Sequence, residues 1–356
     1  MTARLTAALD AIAARHAARP GVHALRCGIE HPASGFRWRA GAADESYPIA
    51  SITKLYTTAL VMQLRAEGAF GLDTPAATLL EAGTLDGLVV HDGRDWADAI
   101  TVRELLAQTS GIPDYFEQPR ADGTTFLRGA LAQDAWTSLD DHLELSRTLP
   151  SPFPPSTPGR SHYSDTNFEL LGRIVERVTG DSYAAALQTR ILDPLGATGT
   201  RLFTGEETPD GPVTPVYHGR TALHLPRTIA STGASGALIS ALDDQLAFIR
   251  AFVSGELFPG AYLAELQREW NSVFSPWAPL EYGVGLMRFR LPRWQSPFAA
   301  VPPLIGHSGS VGSVLYHDPV TGVQIAGTVN QLARRSLPYP LLAQLALSCA
   351  RHLGAA

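Results

Sequence analysis

The chain of 356 residues has the length of about two domains, or of one large domain carrying an insertion. With 45% hydrophobic and 17% charged residues it can build a sizeable core, and a net charge of −6 without a basic stripe argues against nucleic-acid or lipid-surface binding. No run reaches the ~18 apolar residues of a membrane span. The amphipathic N-terminus, broken by Arg4, Asp10, Arg15 and Arg19, lacks the apolar core of a signal peptide, so a cytoplasmic address is expected.

Taken in order, residues 1–19 read as a helix stopped by Pro20-Gly21, and residues 22–30 and 35–40 as two strands around the turn at 31–34. Cys27 and Cys349, far apart and without partner cysteines, read as buried packing residues. After the extended segment Tyr47-Pro48-Ile49-Ala50, apolar residues at Leu55, Leu60, Val61 and Leu64 predict a helix closed by Gly68. Helices are expected at 101–108 (N-cap Thr101), 138–148 and 167–179, with proline- and glycine-rich loops at 150–159 and 208–215. Residues 76–224 thus read as a mostly helical insertion. Beyond Ser231-Thr232-Gly233-Ala234-Ser235-Gly236, a helix is expected at 237–253, strands at 282–291, 313–318 and 323–330, and a closing helix at 337–353. Strands at both ends imply one sheet assembled from residues 1–75 and 225–356, with the insertion beside it. The fold class is therefore α/β (α+β).

The chemistry centres on Ser51-Ile52-Thr53-Lys54. Three residues apart at a helix start, Ser51 and Lys54 share one face, where an amine can take the proton that keeps a serine hydroxyl a poor nucleophile. Of 28 basic residues, 27 are arginine and one is lysine, Lys54. A chain that uses arginine wherever a cation suffices keeps its lysine where a tunable amine is needed. Two further stretches can complete a site. In His162-Tyr163-Ser164-Asp165-Thr166-Asn167, Tyr163 can shuttle a proton if a nearby cation lowers its pKa from ~10; the alternative is a helix cap. In Gly306-His307-Ser308-Gly309-Ser310, entering a strand at 309–313, glycines mark close backbone approach, as half of an oxyanion hole requires. Tyr115, Phe116, Trp277 and Tyr282 are candidate cleft aromatics. Eleven scattered histidines without H-x-H or H-E-x-x-H give no metal site, and no cofactor is expected.

S-x-x-K at a helix start, Y-S-x downstream and H-x-G late in the chain resemble the serine β-lactamase and penicillin-binding protein family. The similarity is to its class C-like branch of esterases, D-amino-acid amidases and acyltransferases. Supporting segments are Leu105-Leu106-Ala107-Gln108-Thr109-Ser110-Gly111-Ile112, Tyr163 through Gly172, and Glu281-Tyr282-Gly283-Val284-Gly285. The resemblance implies an antiparallel sheet flanked by helices, an inserted helical domain, and a cleft site between them. It implies Ser51 as acylated nucleophile, Lys54 and Tyr163 as a coupled proton-transfer pair, and the Ser51 and Ser310 N–H groups as oxyanion donors.

Three features depart from the family. Asp165 stands where many relatives carry Asn; it can accept but not donate, and beside Lys54 it favours Tyr163 as the base. A second register would match Ser164-Asp165-Thr166 to the S-D-N motif. His307 replaces the lysine that meets an anionic substrate carboxylate, which a neutral imidazole does poorly. With no export signal, the expectation is a cytosolic serine hydrolase of esters, lactones or small amides. The rivals are a D-stereospecific aminopeptidase or amidase, in which Asp165 meets a substrate ammonium, and a biosynthetic acyltransferase or thioesterase. The expected partner is a small-molecule ester or amide; the residues do not speak to oligomeric state.

Overall fold

The computed structural model describes residues 2–43, 45–208, 213–274, 278–291 and 301–353. A seven-stranded antiparallel sheet runs in the order Leu280–Tyr282, Met287–Phe289, Leu304–Gly309, Ser313–His317, Gln324–Thr328, Arg26–His31 and Phe36–Ala40. The first and last strand-forming segments of the chain therefore pair inside it, one strand in from the Phe36–Ala40 edge, where Gly28 pairs with Ala326. Central strands are buried at every residue, because helices cover both faces. Helix Leu242–Ser254 lies on one face, with Leu246 over the bare Cα of Gly28. Helix Pro338–Leu353 covers the other and packs on helix Thr2–Ala17. In the latter, Leu5, Leu9, Ile12 and Ala13 are buried at the spacing of one helix face. Cys27 and Cys349 are buried free thiols, both pushed up to about 12 by desolvation. Among the described residues no helix is long and apolar enough to cross a membrane.

Beside the sheet, helices Thr53–Ala66, Asp165–Thr179, Val102–Ala107 and the short Gly233–Gly236 pack on one another. Val102–Ala107 begins with the expected Thr101 cap, strengthened into a capping box by Glu104. Gly172 lets helix Asp165–Thr179 approach Ala234, whose Cβ lies 2.5 Å from where a Gly172 Cβ would stand.

Four local expectations are corrected. Residues 237–241 are not helical: Leu238–Ser240 is a buried strand between Tyr47–Pro48 and Arg201–Leu202, because its apolar run completes a small second sheet. Residues 282–291 are not one strand but half of a hairpin, Leu280–Tyr282 with Met287–Phe289, folded at Gly283-Val284-Gly285-Leu286. The late glycine-rich strand lies earlier than expected, at Leu304–Gly309, and residues 310–312 form the turn into Ser313–His317. The middle of the chain also contains two short hairpins, Val90–His91 with Arg94–Asp95 and Val216–His218 with Thr221–Leu223, too short for periodicity to register.

Gly285 carries the second hairpin onto helix Thr53–Ala66. Its φ of +75° lies in the left-handed region, its carbonyl accepts the Thr58 hydroxyl at 2.8 Å, and an added Cβ would overlap the Thr58 side chain. Gly285→Ala should therefore lower unfolding stability by about 2–4 kcal/mol, combining backbone strain with overpacking. Chemical denaturation checks this; a loss within ~0.5 kcal/mol would show the turn to be loosely docked.

Candidate active site

The chain reaches Ser51 through a kink. Ala50 has φ +48°, rare for a residue with a Cβ, between strand Tyr47–Pro48 and the 3-10 turn Ala50–Ile52 that runs into helix Thr53–Ala66. Three contacts hold it. Thr53 Oγ1 donates to the Ala50 carbonyl at 2.7 Å and accepts the Leu238 N–H at 3.1 Å. Ser313 Oγ donates to the Ile49 carbonyl at 2.8 Å. The same carbonyl and hydroxyl occupy the space a Cβ on Gly309 would need. Gly309 is thus a close-approach glycine, as expected, but its neighbour is the chain's own kink.

Lys54 lies with 0% of its side chain exposed, and its Nζ donates to Ser51 Oγ at 3.2 Å, to the Ser235 carbonyl at 2.8 Å and to Asp165 in an ion pair. The ring centroids of Tyr163 and Phe168 lie 5.1 and 5.5 Å away, within cation–π range. The Tyr163 phenol faces the Ser51 hydroxyl, which partly opposes the rise of its pKa. Ser164 is buried and donates to the Pro113 carbonyl at 3.0 Å. Tyr163 rather than Ser164 therefore faces Ser51, against the S-D-N register. Asp165 is fixed from behind, its N–H donating to Asp114 Oδ1 at 2.9 Å. Asp114 is pushed up to about 7 by burial and by the neighbouring Asp165 charge. One expectation is overturned here: burial first, then Asp165, raises the Tyr163 phenol well above its ordinary value rather than letting a cation lower it.

Ser51, Asp165, Ser235 and Ser310 open onto a pocket of about 730 Å³ of empty space. Phe116, Leu127, Leu223, Leu225 and Ile229 converge on it half-buried, beside the buried Val216, Val311 and Leu332. Asp165 is the only charged side chain in this lining among the described residues.

Residues 9–346 match the sequence profile of the Beta-lactamase family. The chain belongs to the β-lactamase family. A D-stereospecific amidohydrolase from Streptomyces sp. superposes over 99% of both chains with a TM-score of 0.76 and 29% identity. The D-amino acid amidase of Ochrobactrum anthropi SV3 shares the fold, with a TM-score of 0.78 over 98% of this chain and 99% of its own, at 22% identity. Penicillin-binding protein 4 of Amycolatopsis lactamdurans is 34% identical over 175 residues, which span 49% of this chain and 40% of that relative.

The remaining candidates of this β-lactamase-family chain separate clearly. Ser310 and Phe116 line the pocket. Tyr115 does not: it is 1% exposed and stacks on His142 with centroids 3.8 Å apart, because the chain turns it into an aromatic cluster with Phe126. His307 does not reach the cleft either, being 0% exposed. Its Nδ1 must donate to the Ser308 carbonyl at 2.8 Å, leaving Nε2 to accept the Tyr282 hydroxyl at 3.2 Å. Desolvation, with Lys54 nearby, pulls its pKa down to about 3, so it is a neutral imidazole without access to substrate. Tyr282 is likewise buried, edge-on to Tyr163 at 5.7 Å, and supports that ring rather than lining the pocket. Trp277 lies outside the described residues. Ser235, Glu169, Asp114 and the apolar wall carry no motif in the sequence; the small-residue run 231–236 is a local sign of a close approach at Ser235.

Because Lys54 fills its slot with a compact ammonium on three acceptors, a planar guanidinium cannot reproduce the contacts. Lys54→Arg should lower ester kcat/KM by roughly 10² or more, with the far-ultraviolet circular dichroism of the folded protein retained. A fully active variant would reduce Lys54 to a packing residue.

Proposed function

We propose that the protein hydrolyses small esters and amides with apolar acyl groups through an acyl-Ser51 intermediate. The observation that carries this reading is the buried contact of the chain's only lysine with the Ser51 hydroxyl at 3.2 Å, at the mouth of an apolar pocket. In the first step Ser51 Oγ attacks the substrate carbonyl carbon while its proton passes to Lys54, which hands one on to its ion-pair partner Asp165. The Ser51 and Ser310 N–H groups receive the developing oxyanion. Tyr163, a neutral phenol, donates to the leaving alcohol or amine and is reprotonated from the Lys54–Asp165 pair. Water then repeats the sequence on the acyl-enzyme.

Tyr163 is not among the residues lining the pocket, which lies on the Asp165 and Ser310 side of Ser51. With the leaving group on the Tyr163 side, the pocket receives the acyl side. In this reading the pocket sits between a sheet unit (1–75 with 225–356), contributing Ser51, Ile229 and Ser310, and a helical insertion (76–224), contributing Phe116, Leu127 and Asp165.

A second reading, amides bearing a free α-amine, is favoured by Asp165 as the one charged group in the pocket lining among the described residues. The Streptomyces relative at 29% identity is a D-stereospecific amidohydrolase. The substrate ammonium would then meet Asp165 while an apolar side chain fills the pocket.

Two measurements test these readings. A fluorophosphonate or slow p-nitrophenyl ester should leave its mass on the Ser51 peptide; an adduct on Ser164 or Ser310 instead would remove the assignment. Asp165→Asn should raise turnover of neutral esters relative to amino-acid amides by about tenfold, the scale of one hydrogen bond's ~1–1.5 kcal/mol. Equal loss on both substrate types would leave Asp165 as the proton acceptor of Lys54 alone and remove the reading in which it meets a substrate ammonium.

A further inference from the structure

Behind Lys54 lies a carboxyl group that the proposed mechanism does not use. Glu169 sits one turn after Asp165 on helix Asp165–Thr179, is 7% exposed, and makes no ion pair among the described residues. Its Oε1 lies 2.7 Å from Ser235 Oγ, and Ser235 Oγ lies 2.7 Å from the Thr232 carbonyl. Both separations are those of full O–H···O hydrogen bonds. A hydroxyl has one hydrogen, and a carbonyl can only accept. The Ser235 hydroxyl can thus serve both oxygens fully only if Glu169 carries a hydrogen of its own; otherwise the two acceptors share one.

We propose that Glu169 is held as a neutral carboxylic acid donating to Ser235, and that it is a positioning residue for Lys54. Ser235 is the link: its hydroxyl takes the Glu169 hydrogen and its carbonyl accepts Lys54 Nζ at 2.8 Å. The groups facing Glu169 agree with a neutral form. Lys54 comes from helix Thr53–Ala66 and is already ion-paired with Asp165, whose charge opposes a second one nearby. Tyr183, from helix Tyr183–Leu187, and Tyr115, from the loop after helix Val102–Ala107, offer only phenols that burial keeps protonated. Burial pushes Glu169 up to about 8, with Asp165 adding to the rise and Ser235 and Lys54 opposing it. Ionisation would break the Glu169–Ser235 arrangement and set a second carboxylate to compete with Asp165 for the ammonium. Activity is therefore held below about pH 8 and lost above it.

This inference rests on the acyl-Ser51 reading, and the test separates the two. The rate of Ser51 labelling by a fluorophosphonate and the kcat/KM for a p-nitrophenyl ester are followed from pH 5 to 10. The wild-type protein should show an alkaline fall centred near 8. Glu169→Gln, whose amide still donates to Ser235, should lose that fall and drop no more than about threefold at pH 7. Glu169→Leu should drop about tenfold, the scale of one lost hydrogen bond. A Gln variant that keeps the same alkaline midpoint, or is as impaired as Leu, overturns the proposal; any limb it retains near 7 would belong to Asp114. Ser235→Ala provides the second handle, expected to displace the midpoint, and an unmoved midpoint also counts against the link. Absence of label on wild-type Ser51 at every pH would instead remove the hydrolase reading itself.

Discussion

An ammonium with no exposed surface is the constraint on which the centre of this molecule depends. An unpaired buried charge would be strongly destabilising, so Lys54 Nζ must be met by acceptors from the moment the helices close. Those acceptors come from separate parts of the chain: Ser51 one turn earlier, Asp165 at the start of a helix more than a hundred residues on, and the Ser235 carbonyl in the small-residue turn beyond. Satisfying one cation thus draws helices Thr53–Ala66, Asp165–Thr179 and Gly233–Gly236 into contact. Two aromatic faces, Tyr163 and Phe168, close the remaining sides and keep water away. The same desolvation sets the protonation of everything nearby. Around a single cation only one carboxylate is well compensated, which is why Asp114 and Glu169 are both pushed up while Asp165 holds the ion pair.

Positional precision at Ser51 comes from backbone packing. The left-handed Ala50 stores strain that would relax if the turn were free. Strand Leu304–Gly309 prevents this, because Gly309 admits the Ile49 carbonyl against its backbone and Ser313 bonds to that carbonyl. Tyr282 and His307 extend the support sideways as a buried hydroxyl–imidazole pair that holds the Tyr163 ring edge-on. Neither needs to touch substrate to matter: one misplaced ring would turn the Tyr163 phenol away from Ser51.

How much of this was legible follows from the range of each signal. Ser51 and Lys54 are three residues apart, so their juxtaposition is a local property of a helix start, and the lone lysine among arginines marked it as chemical. Caps such as Thr101 and the period of Leu5, Leu9 and Ile12 are equally local. What escaped depends on partners distant in sequence. Leu238–Ser240 is a strand only because Tyr47–Pro48 and Arg201–Leu202 flank it. Tyr115 and His307 belong to motif segments, yet which way each side chain points is decided by His142 and Tyr282. The sign of the Tyr163 shift was misjudged for the same reason: Lys54 argued for a lowered value, but burial and Asp165 outweigh it.

The burial of His307 also bears on what the fold has kept and what it has given up. A cation at that place, facing the cleft, would hold a substrate carboxylate. Here the residue is a neutral imidazole turned into the core, its Nδ1 committed to the Ser308 carbonyl, and among the described residues the pocket lining offers Asp165 alone as a charge. A carboxylate entering this pocket would shed its hydration against Leu127, Leu223 and Ile229 with no cation to meet it, and with Asp165 to repel it. A neutral or amine-bearing substrate meets no such penalty and gains from burying its apolar part. The proton transfer proposed around Ser51 thus makes no demand for a cation at the place of His307.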